Sequence, residues 1–510
     1  MSEICRLKGK KRMRSIPARI LLYSLLLFLF VPHVSFAGTR TFIKEYTYRA
    51  SEDDSRNSSR VIALREVKRL LLEELGTYLE SDTEVKNFQL TRDQITTLTA
   101  GIVQTEIVDE KWDGHVYWLK AKIAADPDKV AQSIDALRRD RDKTKELETI
   151  RRKSDELLRE VETLRKELAS AKNGETQKTA YDQSIRKLSA REWLERGFAA
   201  KDRGAFKEAI EAYSRAIELD PDSIEAYYAR ALIGDENHSM QDFYKLLTIE
   251  PKDSKSYLYR AWTYKELKKG DLALDAFGKA IHSASGTRER AEAYYDRGKY
   301  YYADRRDFSL AVRDYTDAIR LNPKEANYFF YRGSSYSNLG RSDLAYADFN
   351  KAIELDPRDS TNYVARASVL INPMNKPELA IADYDKAIEL EPVAFNYMQR
   401  ASAYLLLGKK NLSDMDRSKA SELYADDFSR RGDYDFAIGK YDDAIELKPG
   451  NSTLHYKRAL AHAGRGDSKK AIIDLREAVG LDSSNKVKAQ KDPQFKSIKN
   501  HPDFIKLVGK

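Results

Sequence analysis

Residues 326–359 read ANYFFYRGSSYSNLGRSDLAYADFNKAIELDPRD, and this stretch decides the fold. Phe329, Arg332, Gly333 and Tyr336 are separated by three, one and three positions, which places them on one face of a helix. Leu339-Gly340 then supplies a C-terminal glycine at which the chain turns back. A second helix follows, with Ala345, Phe349, Ala352 and Ile353 on one stripe and Pro357 as its stop. Gly333, Ala345 and Ala352 are small where the two backbones meet, so the pair closes tightly. A hairpin this short cannot bury its own apolar face, so it requires neighbours.

The sequence supplies them. Pro221, Pro323, Pro392 and Pro449 stand where Pro357 does, marking a recurring 34-residue unit. Nine frames fit, at 190–223, 224–253, 254–287, 291–325, 326–359, 360–393, 394–417, 418–451 and 452–485. The eighth position is always small, as in Gly197, Ala261, Gly298, Gly333, Ala401 and Ala459. A large residue recurs in the second helix (Tyr213, Phe277, Tyr315, Phe349, Tyr384, Tyr441, Leu475), with alanine three residues later. This pattern resembles the tetratricopeptide repeat family over about 296 of 510 residues. The resemblance implies a mainly α fold, a right-handed α-solenoid of helix pairs with a concave groove.

The seventh position, usually leucine in that family, is arginine in eight frames, including Arg297, Arg332, Arg366, Arg400 and Arg458. Before the second-helix aromatic there is often an aspartate: Asp242, Asp314, Asp348, Asp383, Asp414 and Asp474. A guanidinium in a packing face is costly unless paired and hydrogen-bonded, so an arginine–aspartate ladder is expected, within repeats or between neighbours. The alternative is a row of arginines lining a groove for an anionic ligand.

Groove contacts are expected at the fifth and ninth positions of the first helices. Tyr228, Leu258, Trp262, Tyr295, Lys299, Phe330, Met398 and Tyr456 are the candidates. Chaperone-binding members of the family carry lysine and asparagine there to clamp a C-terminal carboxylate, and that pattern is missing. The apolar and aromatic set suits a segment of another protein, although several of these residues could equally pack between repeats. Two irregularities stand out. The frame at 224–253 is short by four residues near Asn237-His238, and no proline or glycine separates two helices between Asn411 and Arg430.

The formal charge of +8 is misleading. Residues 1–37 hold seven basic residues and one acid, leaving only +2 for the rest, which removes the main argument for nucleic-acid binding. The basic stretch precedes ILLYSLLLFLFV at 20–31, too short for the roughly 20 residues of a membrane-spanning helix. With Val34-Ser35-Phe36-Ala37 behind it, this reads as a signal peptide cut after Ala37, or else as an uncleaved anchor. The single Cys5 lies inside that leader; a mature chain without disulfides suits a bacterial periplasm better than eukaryotic secretion.

Residues 38–125 differ in texture. An alternating strand at 41–49, a helix from about 58 to 80, a shorter helix after 91, and two strands flanking Asp113-Gly114 read as a small α/β domain with a type-I′ hairpin. The run Ser51-Glu52-Asp53-Asp54 reads as a solvated turn. In 126–172, Leu147, Ile150, Ser154, Leu157, Val161, Leu164 and Leu168 follow a coiled-coil seam. That seam is either a homodimerisation stalk through 147–168 or a helix folded against its own domain. A polar linker is expected at 173–189, and residues 486–510 are expected to cap the last repeat. No phosphate loop, nucleophile elbow or metal-ligand spacing occurs, and His455 and His462 stand alone on one helix. A non-enzymatic, cofactor-free scaffold or adaptor for a protein partner is therefore expected. The alternatives are an envelope, secretion or flagellar assembly factor, and a regulator of a glycan-modifying enzyme.

Overall fold

The computed structural model describes residues 39–81, 92–100, 102–103, 105–139, 141–170, 175–372 and 374–509. The leader at 1–37 lies outside them. Among the described residues, no helix is long and apolar enough to cross a membrane. The chain divides into two units, one ending at Ala226 and one beginning at Tyr227.

In the first unit, β1 (Arg40–Arg49) and β2 (Glu106–Trp112) flank β3 (Val116–Ala125) in an antiparallel sheet of order β1-β3-β2. Side chains alternate across a strand, so Tyr117, Leu119, Ala121 and Ile123 of β3 all point to one face, where each is fully buried. Helix α1 (Arg56–Ser81) lays Leu64, Val67, Leu71 and Leu75 on that face, and α2 (Arg92–Ala100) adds Ile95 and Leu98. The hairpin differs from the expected one. Asp113 N donates to Val116 O, so the turn centres on Gly114-His115, and only Gly114 has positive φ (102°). A type-I′ turn needs positive φ at both central residues. The Asp113 carboxylate, accepting from His115 N and Val116 N, selects the shifted turn.

Asp54 is not in a solvated turn. Its side chain is fully buried and accepts from the hydroxyls of Tyr48 (3.0 Å), Ser51 (2.8 Å) and Tyr181, and from Ser51 N (2.7 Å), with Arg165 3.4 Å away. Burial alone would raise its pKa, but these donors hold it below the ordinary carboxylate value.

Helices α3 (Pro127–Arg139), α4 (Arg141–Ser170) and α5 (Glu175–Asp202) follow. Arg165 is on α4 and Tyr181 on α5, so Asp54 fastens both to the sheet domain. The α4 seam is covered from within the unit. Ser154 and Val161 are buried, and Val161 and Leu164 join one core with Tyr181 and Ile185 of α5 and the residues of the sheet domain. The homodimer stalk through 147–168 is therefore replaced by a helix folded on its own domain; the side chains of Leu147 and Ile150 are outside those described. The linker expected at 173–189 is also corrected. From Glu175 onward it is helical, because Tyr181, Ile185 and Leu188 give it a buried face. α5 continues into the first repeat and pairs with α6 (Phe206–Leu219), so this repeat belongs to the N-terminal unit.

The second unit is an α-solenoid of helix pairs: α7 (Ile224–Ala231, straddling the boundary) with α8 (Glu236–Thr248), α9 (Ser254–Glu266) with α10 (Gly270–Ser283), α11 (Thr287–Tyr300) with α12 (Phe308–Leu321), and α13 (Ala326–Asn338) with α14 (Ser342–Leu355). Next come α15 (Ser360–Ile371), α16 (Pro377–Leu390), α17 (Ala394–Leu406), α18 (Lys410–Arg431), α19 (Tyr434–Leu447), α20 (Ser452–Arg465) and α21 (Ser468–Leu481). In the short frame, Asn237 and His238 lie inside α8, behind an Asp235 N-cap. The economy is taken from α7, only eight residues long. Residues 411–430 form one uninterrupted helix, α18, shared between two frames. At the end, α22 (Ser484–Lys491), a 3₁₀ turn and α23 (Pro502–Val508) bring Phe495 and Phe504 against Tyr456 and Leu475.

Except between α7 and α8, the turn inside each pair of the second unit places one residue in the left-handed region. Glycine holds it at Gly340 (φ 71°) and three later turns, but Lys268 (φ 57°), Arg306 (φ 51°) and Asn375 (φ 49°) hold it elsewhere. A side chain there costs about 1 kcal/mol. Lys268→Gly and Arg306→Gly should each raise the melting temperature of the chain by one to a few degrees, gains of roughly 0.5–1 kcal/mol measurable by calorimetry.

Candidate partner-binding surface

The arginine–aspartate rows form repeated, bidentate pairs. Arg332 Nε and Nη2 donate to Asp348 Oδ2 and Oδ1 at 2.8 and 2.7 Å. The same fork joins Arg230 to Asp242, Arg297 to Asp314, Arg366 to Asp383 and Arg458 to Asp474. Arg400 takes Asp416, not the expected Asp414. The remaining nitrogen reaches back to the preceding repeat: Arg332 Nη1 to Thr316, Arg366 to Asn350, Arg400 to Asp385 and Arg458 to Asp442. Each of these four acceptors follows the second-helix aromatic by one residue. The hydrogen bond to Asp383 holds the Arg366 guanidinium above its ordinary value against the pull of burial. Where alanine replaces aspartate, at Ala276, the fork is gone, and Arg260 donates to the carbonyls of Leu247 and Ile249. Sequence reading missed one component. Five of these arginines, Arg230, Arg297, Arg332, Arg366 and Arg400, also sit 5.6–5.9 Å from the ring three residues earlier, as Arg332 over Phe329 and Arg366 over Tyr363. The i−3 aromatic was visible as a second periodic column.

The expected groove residues fall into three groups. Tyr295 and Tyr456 are buried and are corrected to core. Tyr295 lies among Tyr315, Tyr328 and Tyr331, and Tyr456 is sealed by Phe495, with its hydroxyl donating to Asp492. Tyr228, Leu258, Trp262, Lys299 and Phe330 are half-buried. Trp262 stands edge-on to Phe277 and Phe330 packs on Phe349, while the Lys299 ammonium lies 5.3 Å from the Tyr295 ring. Met398 is exposed.

Met398 marks a larger surface. Of 22 exposed large apolar residues among those described, eight fall between Val393 and Tyr424: Val393, Phe395, Met398, Leu405, Leu406, Leu412, Met415 and Tyr424. Leu405 and Leu406 are 61 and 64 % exposed. Phe395, Met398, Ser402 and Leu405 are spaced three, four and three along α17, so they form one stripe down an open helix face. All four are exposed, whereas in the preceding four repeats 14 of the 16 equivalent positions are buried or half-buried. The sequence explains this. Frame 394–417 has 24 residues instead of 34, and the missing segment is the turn and first-helix start that α18 fuses over. Elsewhere first helices of successive repeats touch directly, α9 with α11 and α13 with α15. Charge is one-sided as well. Residues 393–413 contain no acid, where the chain average of 81 in 510 would give about three, and Lys409 and Lys410 end the stripe.

In the first unit a cleft of about 570 Å³ lies between α1, α5 and α6. Most of its charges are paired. Glu195 receives Lys68 Nζ at 3.0 Å and Ser154 Oγ at 3.0 Å, with Arg65 3.6 Å away. Burial alone would raise Glu195; Lys68 and Arg65 pull its pKa down to about 2. Arg196 pairs with Glu192, and Arg215 with Glu218. His455 bonds the carbonyl of Pro449, and His462 lies 3.6 Å from Asp474, so both are structural. Among the described residues, no group of three or more His, Cys, Asp or Glu could hold a metal.

Family profiles described as "TPR repeat" and "Tetratricopeptide repeat" match residues 199–233 and residues 300–360 and 425–486 respectively. The chain is 23% identical to human Tetratricopeptide repeat protein 13 over 27% of its own length and 16% of that protein. It is 27% identical to Arabidopsis thaliana Hsp70-Hsp90 organizing protein 1 over 29% of its length and 32% of that protein. It thus spans a third or less of these relatives. Among solved structures, YrrB, titled "a TPR protein with an unusual peptide-binding site", is 20% identical over 42% of this chain and 98% of that one, with a TM-score of 0.24. The recurring helix pairs and the profile matches together show that this chain carries tetratricopeptide repeats.

Proposed function

We propose that the chain is an exported, non-enzymatic scaffold that holds a segment of another protein on the open face of α17 and the start of α18. The supporting observation is the concentration of exposed apolar side chains between Val393 and Tyr424, on an array whose four preceding first helices keep 14 of the 16 equivalent positions buried or half-buried. Contiguous exposed apolar surface is unfavourable in water and marks interaction sites. Met398 and Met415 add adaptable contact surface. Export rests on the basic segment, the apolar run at 20–31 and the small residues before Gly38.

The reading is tested by tagging the full chain in its own cells, fractionating them and cross-linking before purification. The protein should be recovered outside the cytoplasm with a stoichiometric protein partner. A Phe395→Glu/Leu405→Glu variant should fold normally, because both positions are exposed, and should lose at least nine-tenths of that partner. Retention of the partner by the folded variant would overturn the reading.

A further inference from the structure

The open α17 face has the geometry of a position normally filled by another helix. Its stripe spacing of three, four and three is that of a helix-packing seam, and its span from Phe395 to Leu405 is about 15 Å at 1.5 Å per residue, matching about three turns of a partner helix. The array shows what covers such a face elsewhere, since α9 is touched by α11 and α13 by α15. At α17 the shortened frame removes that neighbour.

Charge narrows the partner further. No acid occurs from Val393 to Ser413, and Arg400 is neutralised by Asp416 and Asp385. The nearest acids on α18 are engaged as well: Asp414 with Arg417, Glu422 with Lys419 and Lys457, and Asp426 with Lys457. Lys409 and Lys410 are therefore the uncompensated charges at the end of the stripe. Resting on the proposed scaffold role, we propose that α17 takes an acidic amphipathic helix of a partner protein, which packs its apolar stripe on Phe395, Met398 and Leu405 and places carboxylates beside Lys409 and Lys410.

The test uses the full chain and three labelled 21-residue synthetic helices, read by fluorescence anisotropy. One has a leucine seam flanked by glutamates, one the same seam flanked by lysines, and one the glutamates with serines in the seam. The acidic leucine peptide should bind at least tenfold more tightly than either other peptide. Lys409→Glu/Lys410→Glu should invert the preference for glutamate over lysine, and Met398→Glu/Leu405→Glu should abolish binding of the acidic peptide. Equal binding of the acidic and basic peptides, or binding unaffected by Met398→Glu/Leu405→Glu, would overturn the proposal. So would capture by phosphatidylglycerol vesicles without peptide selectivity, which would make the patch a lipid-surface contact. Self-association of the full chain in light scattering, lost in Leu405→Glu, would overturn it in favour of a second copy. If the acidic peptide fails while Phe395→Glu/Leu405→Glu still strips the cellular partner, only the partner's helical, acidic chemistry falls. If that variant keeps the partner, the scaffold reading falls with it.

Discussion

Asp348→Ala should destabilise the repeat array by about 3–5 kcal/mol, because it strands the Arg332 guanidinium in a packing face. The Arg332 side chain is 18 % exposed and that of Asp348 8 %, so water cannot replace both lost hydrogen bonds. Removing both charges, as Arg332→Met/Asp348→Leu, should cost far less, since an apolar pair of similar volume leaves no orphan. The double-mutant cycle by urea denaturation therefore predicts strong coupling. Additive single-mutant effects would show that the fork is incidental. Thr316 enlarges the network, because Arg332 Nη1 reaches it from the next repeat. Thr316→Val in the Asp348→Ala background should then add little, as the guanidinium is already displaced.

Glu195→Gln should be comparably damaging in the N-terminal unit. The carboxylate holds Lys68, Arg65 and Ser154 of α1 and α4 onto α5, so the neutral amide leaves Lys68 without its counter-ion and Arg65 with Asp155 alone. Its folded pKa of about 2 lies below its ordinary value of 4.5. A depressed carboxyl contributes stability that is fully present above pH 4.5 and is lost as pH falls from there towards 2. The difference corresponds to roughly 3 kcal/mol. Thermal melts should show wild type losing stability across that window and Glu195→Gln losing correspondingly less. Asp54 acts in the same direction, its pKa also being lowered, so the double variant Asp54→Asn/Glu195→Gln should flatten the acid limb further.

What could be read from the sequence follows what is periodic. Arg332 and Asp348 recur at fixed positions in frame after frame, and a buried charge demands a partner, so the fork was legible before any coordinates. The i−3 aromatics were equally periodic and needed only to be counted. Tyr295 and Tyr456 carried the right repeat position but the wrong environment. Tyr328 of the next repeat covers one and Phe495 of the cap covers the other, and repeat position alone does not reveal such neighbours. The same limit explains Val161, whose seam spacing fits a partner chain as well as the α1 and α5 surfaces that cover it. Asp54 looked solvated because its donors Tyr48 and Tyr181 are distant or inconspicuous in sequence. The open face of α17 was half legible. The missing ten residues of frame 394–417 were countable, but the consequence, four uncovered positions on one helix, required the fused α18.

The claim that α17 is the docking face is tested most directly by site-specific photo-crosslinking. Benzophenone would be placed in the full chain at Met398, at Leu405 and, as a control, at Val487, which is 53 % exposed on the terminal cap. After irradiation in the native cells, the account predicts one adduct of the same partner mass from positions 398 and 405, lost when Lys409 and Lys410 are replaced by glutamate, and none from position 487. Adducts of equal yield from all three positions, or an adduct from 487 alone, would contradict it.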